Sequence, residues 1–455
     1  MKKQIAIGIL WLLPFLNKAQ NIVPEPIAGK IKTEIKDTVL NITTLTLSNG
    51  MKVLLKPTDT EPGVVYFAVL SPMGTSEYSN ADYSSAFNAP QVVKMAGAGK
   101  LDQKALQKYL TGRKVSINPV VVKTYSVFNN RSSTADLATA LELNYAYITS
   151  PQIDKARFEA NIKETIDNYK PPVETANSFF RDTIALIENN FNTRYLQTPV
   201  QTLKAINQDR SLQIFKQLFA DASTFTAIFV GQFDPQTIKP LLEKYLASLP
   251  ATSKHKTAKD AVIYPPTGKI EKVFYKGTDT RAHVELLYSG FTTYTKKAEY
   301  VVDILQNELN KRLTSRLKTE DPDLYGLCID ISLNRGNKPY FTATLEFACN
   351  PSKTESLTKS LTDEIRKIEG DGPLQIDLKA LKTEMISAVK GNQNSNSFWL
   401  AYLKKQSQYN ENPADISNYP TIIESITPED IKKAATIYFN GKNRIRFVLM
   451  PEAIK

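Results

Sequence analysis

The sequence predicts two α+β domains, each an antiparallel β-sheet with helices packed on it, and three observations carry that expectation. The chain has 455 residues, 42% of them hydrophobic, enough for two cores at roughly 100 to 200 residues per domain. Strand-like stretches are grouped into hairpins with helix-period stretches between the groups, the order of an α+β fold and not of β-α-β units. Residues 206–231, INQDRSLQIFKQLFADASTFTAIFVG, also align without a gap with residues 426–451, ITPEDIKKAATIYFNGKNRIRFVLMP, pairing Ile206 with Ile426, Phe219 with Phe439 and Phe229 with Leu449. Each copy reads as capped helix, turn and apolar strand, the mark of an internal repeat.

The elements follow in order. Residues 1–20, MKKQIAIGILWLLPFLNKAQ, combine two lysines, an apolar run from Ile5 to Leu16 and a small residue, Ala19, the layout of a secretory signal peptide. That run is too short to span a bilayer and no later run approaches about 18 apolar residues. Export is expected, to the periplasm or beyond it to the extracellular space, and not integration into a membrane. Residues 21–41 carry prolines and charges and read as an extended lead-in outside the core.

Domain 1 is expected over 42–250. It opens with TLTLSNGMKVLLKP, where Leu45 and Leu47 precede Asn49-Gly50 and Met51, Val53 and Leu55 follow it, a strong short-range hairpin signal. The strand VVYFAVLS comes next, and then YSSAFNAPQVV at 83–93, a helix with Pro90 in its interior, where a proline costs about 3 kcal/mol. Helical periods continue in LDQKALQKYLTG, TADLATALELNYAYIT and DKARFEANIKETIDNYK.

Residues 251–269, polar and carrying Pro265-Pro266, read as a linker. Domain 2 is expected over 270–455. Strands IEKVFYKG and AHVELLYSGF lead into the helix AEYVVDILQNELNKRLTSRLK and the hairpin CIDISLNRGNKPYFTATLEFAC, bounded by Cys328 and Cys349. An exported chain permits a disulfide between them, and two free thiols are the alternative. Two cysteines alone build no structural zinc site.

Lysine and arginine number 57 against 46 acidic residues, a net charge of +11. No run of five like charges concentrates the surplus, so it reads as a basic solvated surface, and export weighs against a nucleic-acid partner. The two histidines are His255 in the linker and His283 on a strand. Without an H-x-x-x-H pair, a three-ligand catalytic zinc site is hard to build, and His283, alternating with apolar neighbours, reads as a packed strand residue. MAGAGK fails as a phosphate loop because Lys94 stands where the first glycine belongs.

Five stretches, LTLSNGMKVLLKPTD, SPMGTSEYSNADYSSA, QKYLTGRKVSINP, LFADASTFTAIFVGQFDPQTIKPLLEKYLASLP and RLTSRLKTEDPDLYGL, together resemble the insulinase/pitrilysin (M16) metallopeptidases, most of all the C-terminal, non-zinc-binding half of the long bacterial members. The resemblance implies two homologous domains forming half of a hinged clamshell that encloses unfolded peptide. In active members a helix carries H-x-x-E-H, two histidines four apart on one face that grip a metal while the glutamate serves as base. A later glutamate completes the ligand set.

Here Ala86 and Pro90 stand where the histidines belong and Ala89 where the glutamate belongs, with Glu159 or Glu164 left as a lone last ligand. The chain is therefore expected to hold no metal and to be inactive alone. Zinc is expected in a partner, an M16-type H-x-x-E-H subunit forming a heterodimer that degrades peptides. The alternative is a non-enzymatic scaffold or peptide-binding component of an envelope complex. In active members an arginine and a tyrosine seven residues later reach the substrate from the C-terminal half. Lys318 and Tyr325 have that spacing and are the expected substrate-binding residues, although Lys318 lacks the guanidinium fork.

Overall fold

The computed structural model describes residues 22–452 apart from 171–173, 193, 195–198, 253–262, 323, 337 and 374. The expected signal at 1–20, His255 and most of the expected linker lie outside the described residues.

The first half of the chain contributes strands β1 (Ile31–Asp37), β2 (Ile42–Leu47), β3 (Lys52–Pro57), β4 (Val64–Ser71), β5 (Val115–Val121), β6 (Ser126–Ser133) and β7 (Thr226–Gly231). Its helices are α1 (Tyr83–Ala96), α2 (Gln103–Leu110), α3 (Leu137–Thr149), α4 (Lys155–Asp167), α5 (Ala176–Glu188), α6 (Pro199–Lys204), α7 (Gln208–Leu218) and α8 (Pro235–Tyr245). The second half contributes β8 (Lys269–Tyr275), β9 (Ala282–Phe291), β10 (Tyr325–Asn334), β11 (Tyr340–Cys349) and β12 (Arg444–Met450). Its helices are α9 (Lys296–Glu320), α10 (Thr354–Asp371), α11 (Gln375–Asn392), α12 (Asn396–Gln408), α13 (Tyr419–Glu424) and α14 (Pro428–Tyr438).

The strands form a 7-stranded sheet, β1-β2-β3-β7-β4-β6-β5, and a 5-stranded sheet, β10-β11-β9-β12-β8. Taken from its other edge, the second sheet repeats the order β3-β7-β4-β6-β5 strand for strand. The expectation of antiparallel sheets needs one correction in each: β3 pairs β7 in parallel, and β8 pairs β12 in parallel. The reason is geometric. The last strand of each half inserts between two strands of opposite direction, so it must run parallel to one of them.

Residues 21–41, expected outside the core, are partly inside it. β1 pairs along β2 from Ile31↔Leu47 to Asp37↔Ile42, and Ile22 and Val23 are 0% and 2% exposed. The backbone N–H of Ile22 donates to Oε1 of Glu142, 3.1 Å away. β1 has no buried face, so no alternation betrays it, and two apolar residues are too few to show a period.

The repeat is real in its helices. Asn207 caps α7 through the Arg210 N–H, and Thr427 caps α14 through a capping box with Asp430. Past Phe219 and Phe439 the register slips by one residue. Phe229 faces the inner core, stacked on Phe67 at 5.0 Å, whereas Leu449 packs on the opposite face with Phe180 and Phe447. The counterpart of Phe229 is Val448, which pairs with Val284 and Val273 as Phe229 pairs with Phe67 and Leu55. Side chains alternate with a period of two along a strand, so a one-residue slip exchanges the faces.

Each sheet packs its own helices on one face and receives a helix from the other half of the chain on the opposite face. On the first sheet, Trp399 and Leu403 of α12 pack on Leu54, Ala68, Leu70, Ile228 and Val230. Asn396, fully buried, accepts the hydroxyls of Thr58 and Thr60 at 2.6 and 2.7 Å. On the second sheet, Phe180, Ile184 and Ile187 of α5 pack on Leu287, Ile445, Phe447 and Leu449. The end of α12 is fastened by Arg335, which meets Glu411 at 2.7 Å and Glu299 at 3.0 Å and lies 4.0 Å from the ring centres of Tyr294 and Tyr409.

Both cysteines are free, Cys328 exposed and Cys349 buried. Burial pushes the Cys349 thiol up to about 12, which keeps it a thiol.

Trp399→Ala should cost about 3 to 5 kcal/mol in urea unfolding, the usual loss for a buried aromatic. Ile35→Ala, on the exposed edge strand, should stay within about 0.5 kcal/mol of the parent in the same measurement.

Candidate functional site

Helix α1 presents the residues at the expected metal positions. Its N-cap, Asp82, makes no cap hydrogen bond of its own. Instead Arg210 of α7 grips the carboxylate with two bonds, Nε to Oδ1 at 2.9 Å and Nη2 to Oδ2 at 2.8 Å, and this pairing holds the Asp82 carboxyl below its usual range. One turn on, the Asn207 N–H donates to Oγ of Ser85 at 2.9 Å and the Ser211 hydroxyl donates to the Ser85 carbonyl at 3.0 Å. These bonds clamp α1 to α7 and fix which side of α1 faces the sheet.

Ala86 and Ala89 are 0% exposed, and Pro90 is buried beside them. The two alanines pack with Val93 and the residues of the inner core. The outer side of α1 shows Phe87, stacked on Tyr83 at 6.0 Å, and Tyr83 lies 5.1 Å below the guanidinium of Arg194. Methyl groups and a pyrrolidine ring offer no lone pair, so the residues here do not fit a zinc ion. Among the described residues no group of three or more His, Cys, Asp or Glu side chains could hold a metal. Glu159 and Glu164 point to solvent from α4, while Phe158 of that helix turns inward. A cleft of about 430 Å³ beside them is lined by Phe158, Glu159, Ile162, Leu203 and Lys204.

The structure puts Lys318 and Tyr325 on the surface, one in the last turn of α9 and the other at the start of β10. The turn between them is fixed by Asp321, buried at 2%, whose Oδ2 accepts the Asn350 N–H at 3.0 Å and whose carbonyl accepts the Leu324 N–H. Tyr325 is 68% exposed. Its partner is Arg281, from the segment entering β9, whose guanidinium lies 5.3 Å from the ring centre, close enough for cation–π attraction. No ion pair holds Lys318 among the described residues. Arg281 escaped sequence reasoning because its neighbour is more than forty positions away; the only local signal is an arginine at a strand entry, TDTRAHVELL. His283 sits two residues on, with Nε2 3.9 Å from Oδ2 of Asp279 and its pKa lowered by burial. It is a packed strand residue.

Residues 205–385 match the model of the family described as peptidase M16 inactive domain. A "Zinc protease PQQL-like" protein of Arabidopsis thaliana is 26% identical over 411 residues, covering 84% of this chain and 39% of its own length. The chain thus spans about two fifths of that relative. Among solved structures, the periplasmic protease PqqL from Escherichia coli superposes with a TM-score of 0.82 at 18% identity, over 99% of this chain and 49% of that one. An M16 inactive domain from Pseudomonas fluorescens superposes with a TM-score of 0.68 at 17% identity, over 90% and 98%.

Writing the motif back as Ala86→His, Ala89→Glu and Pro90→His places three large polar side chains in packed space. Overpacking costs typically about 1 to 3 kcal/mol per site, and buried polar groups add to it. The triple variant should unfold at least about 10 °C below the parent and show no high-affinity zinc binding by titration calorimetry.

Proposed function

We propose that this chain, which carries the inactive domain of the M16 peptidases, is the exported, non-catalytic half of a two-part zinc peptidase. It closes around an unfolded peptide together with a separate H-x-x-E-H subunit that supplies the zinc and the catalytic base. The observation that carries this reading is the replacement of both histidine positions and the glutamate by Ala86, Ala89 and Pro90 inside the core of a half-shell otherwise complete in its two sheets. The whole-length relatives are about twice as long, which leaves room for one more half. Among the described residues no helix is long and apolar enough to cross a membrane.

Tyr325 is the residue for substrate contact from this half. Among the described residues nothing bonds its hydroxyl, which can then donate to a peptide carbonyl, and Arg281 over the ring restricts its swing. Arg281 also supplies near Tyr325 the guanidinium that Lys318 lacks.

Co-expression with a zinc-motif M16 chain should give a complex that survives gel filtration and cleaves unfolded peptides faster than the partner alone. Within that complex, Tyr325→Phe should lower kcat/KM about tenfold, near the 1.4 kcal/mol of one hydrogen bond, and leave assembly intact. Failure of the two chains to copurify would end this reading. An intact complex without chelator-sensitive turnover would establish the scaffold instead.

A further inference from the structure

The seam where α5 lies on the second sheet contains carboxylates with no counter-ion. Glu188 closes α5, one residue after the Ile187 that packs on the sheet. It lies within electrostatic reach of Glu285 of β9, whose cross-strand neighbours are Phe447 on one side and Glu346 on the other. Like charges directly opposite in a sheet oppose pairing; among the described residues no cation or hydrogen-bond donor pairs with Glu188 or Glu285, while Glu346 lies within electrostatic reach of His283. In a chain with a net charge of +11, that is an unusual place to leave carboxylates unpaired.

From this geometry we infer that α5 is a pH-operated latch: with Glu188 and Glu285 protonated its C-terminal turn seats on the second sheet, and with both ionised that turn lifts.

Burial holds Glu188 at about 7. Burial first, and then the charges of Glu188 and Glu346, hold Glu285 at about 8. Both values lie above the ordinary 4.5, so the folded chain keeps protons that the unfolded chain has shed. Stability from the seam is then greatest below about pH 4.5 and is lost as the pH rises through 7 and 8.

Other charges around the seam do not reverse this sign. His283 is occupied with Asp279, and Arg281 lies over Tyr325. Cys328 and Asp330 stand beyond Glu346 on β10, and Lys272 stands on β8 with Phe447 between it and Glu285. Arg181 and Asp182 are on the exposed side of α5. At the N-terminal end of α5, Lys276 pairs with Glu174 and lies 4.4 Å over Phe179, an anchor made without Glu188 or Glu285. Lifting therefore begins at the C-terminal turn, where the Asn190 side chain, bonded to the Tyr264 carbonyl at 2.9 Å, is a polar tie that does not involve the carboxylates.

Amide hydrogen exchange of the full chain, corrected for intrinsic rates, tests the latch. Between about pH 6 and about pH 8.5, protection of residues 184–188 should fall about tenfold or more while that of α12 stays level. Glu188→Gln with Glu285→Gln, both isosteric with the protonated acids, should keep the low-pH protection at both values. Glu346→Gln, at an exposed position, should narrow the loss by removing one charge from beside Glu285. Equal protection of residues 184–188 at both pH values would overturn the inference, as would an equal loss across α12 or an unaltered loss in the doubly substituted chain.

Discussion

The constraint on which this molecule depends is that neither sheet can cover its outer face from its own half of the chain. β4 and β12 are buried along almost their whole length on both faces, so each sheet needs a second layer. The second layer is exchanged: α12 crosses to the first sheet and α5 to the second. The two halves are therefore cooperative in the literal sense. Removing either would expose an apolar sheet face in the other, a surface of the kind that aggregates. The polar contacts reinforce the exchange where it would fray, with Asn396 fixing the start of α12 and Arg335 its end.

That framework also decides what the emptied motif has become. α1 is clamped by Arg210 and by the Ser85 bonds, so the side bearing Ala86, Ala89 and Pro90 cannot roll away from the sheet. Small side chains there let the helix approach closely, and the fixed φ of Pro90 suits a helix whose position is set by packing more than by its own hydrogen bonds. Positions that resemble a ligand set in order and spacing serve here as core. In the second half of the chain, the exposed Tyr325 and its covering guanidinium keep a polar contact point of the kind a peptide could use.

How much of this the sequence discloses depends on the range of each interaction. The hairpin at Asn49-Gly50 is legible because its turn is local, with Gly50 at φ 92°. The caps at Asn207 and Thr427 are legible for the same reason. The missing ligands are legible because a lone pair belongs to residue identity, whatever the fold. The crossing of α5 and α12 is hidden: an amphipathic face says that it will be covered, and not by which element. Ile22 and Val23 are too short a signal, and the pairing of Arg281 with Tyr325 joins two strand entries that only the sheet brings together. The parallel pairs follow from strand insertion, a property of topology that no single segment carries.

The one-residue slip between the repeats has a consequence for how such a chain can change. By their caps and lengths α7–β7 and α14–β12 look interchangeable. They are not, because the slip places opposite faces of the two strands toward the core. A crossover joining one copy's helix to the other's strand would turn that strand inside out, sending Phe229 or Phe447 to the wrong layer. The slip thus ties each helix to its own strand, so that the two copies are alike in outline and not exchangeable in parts.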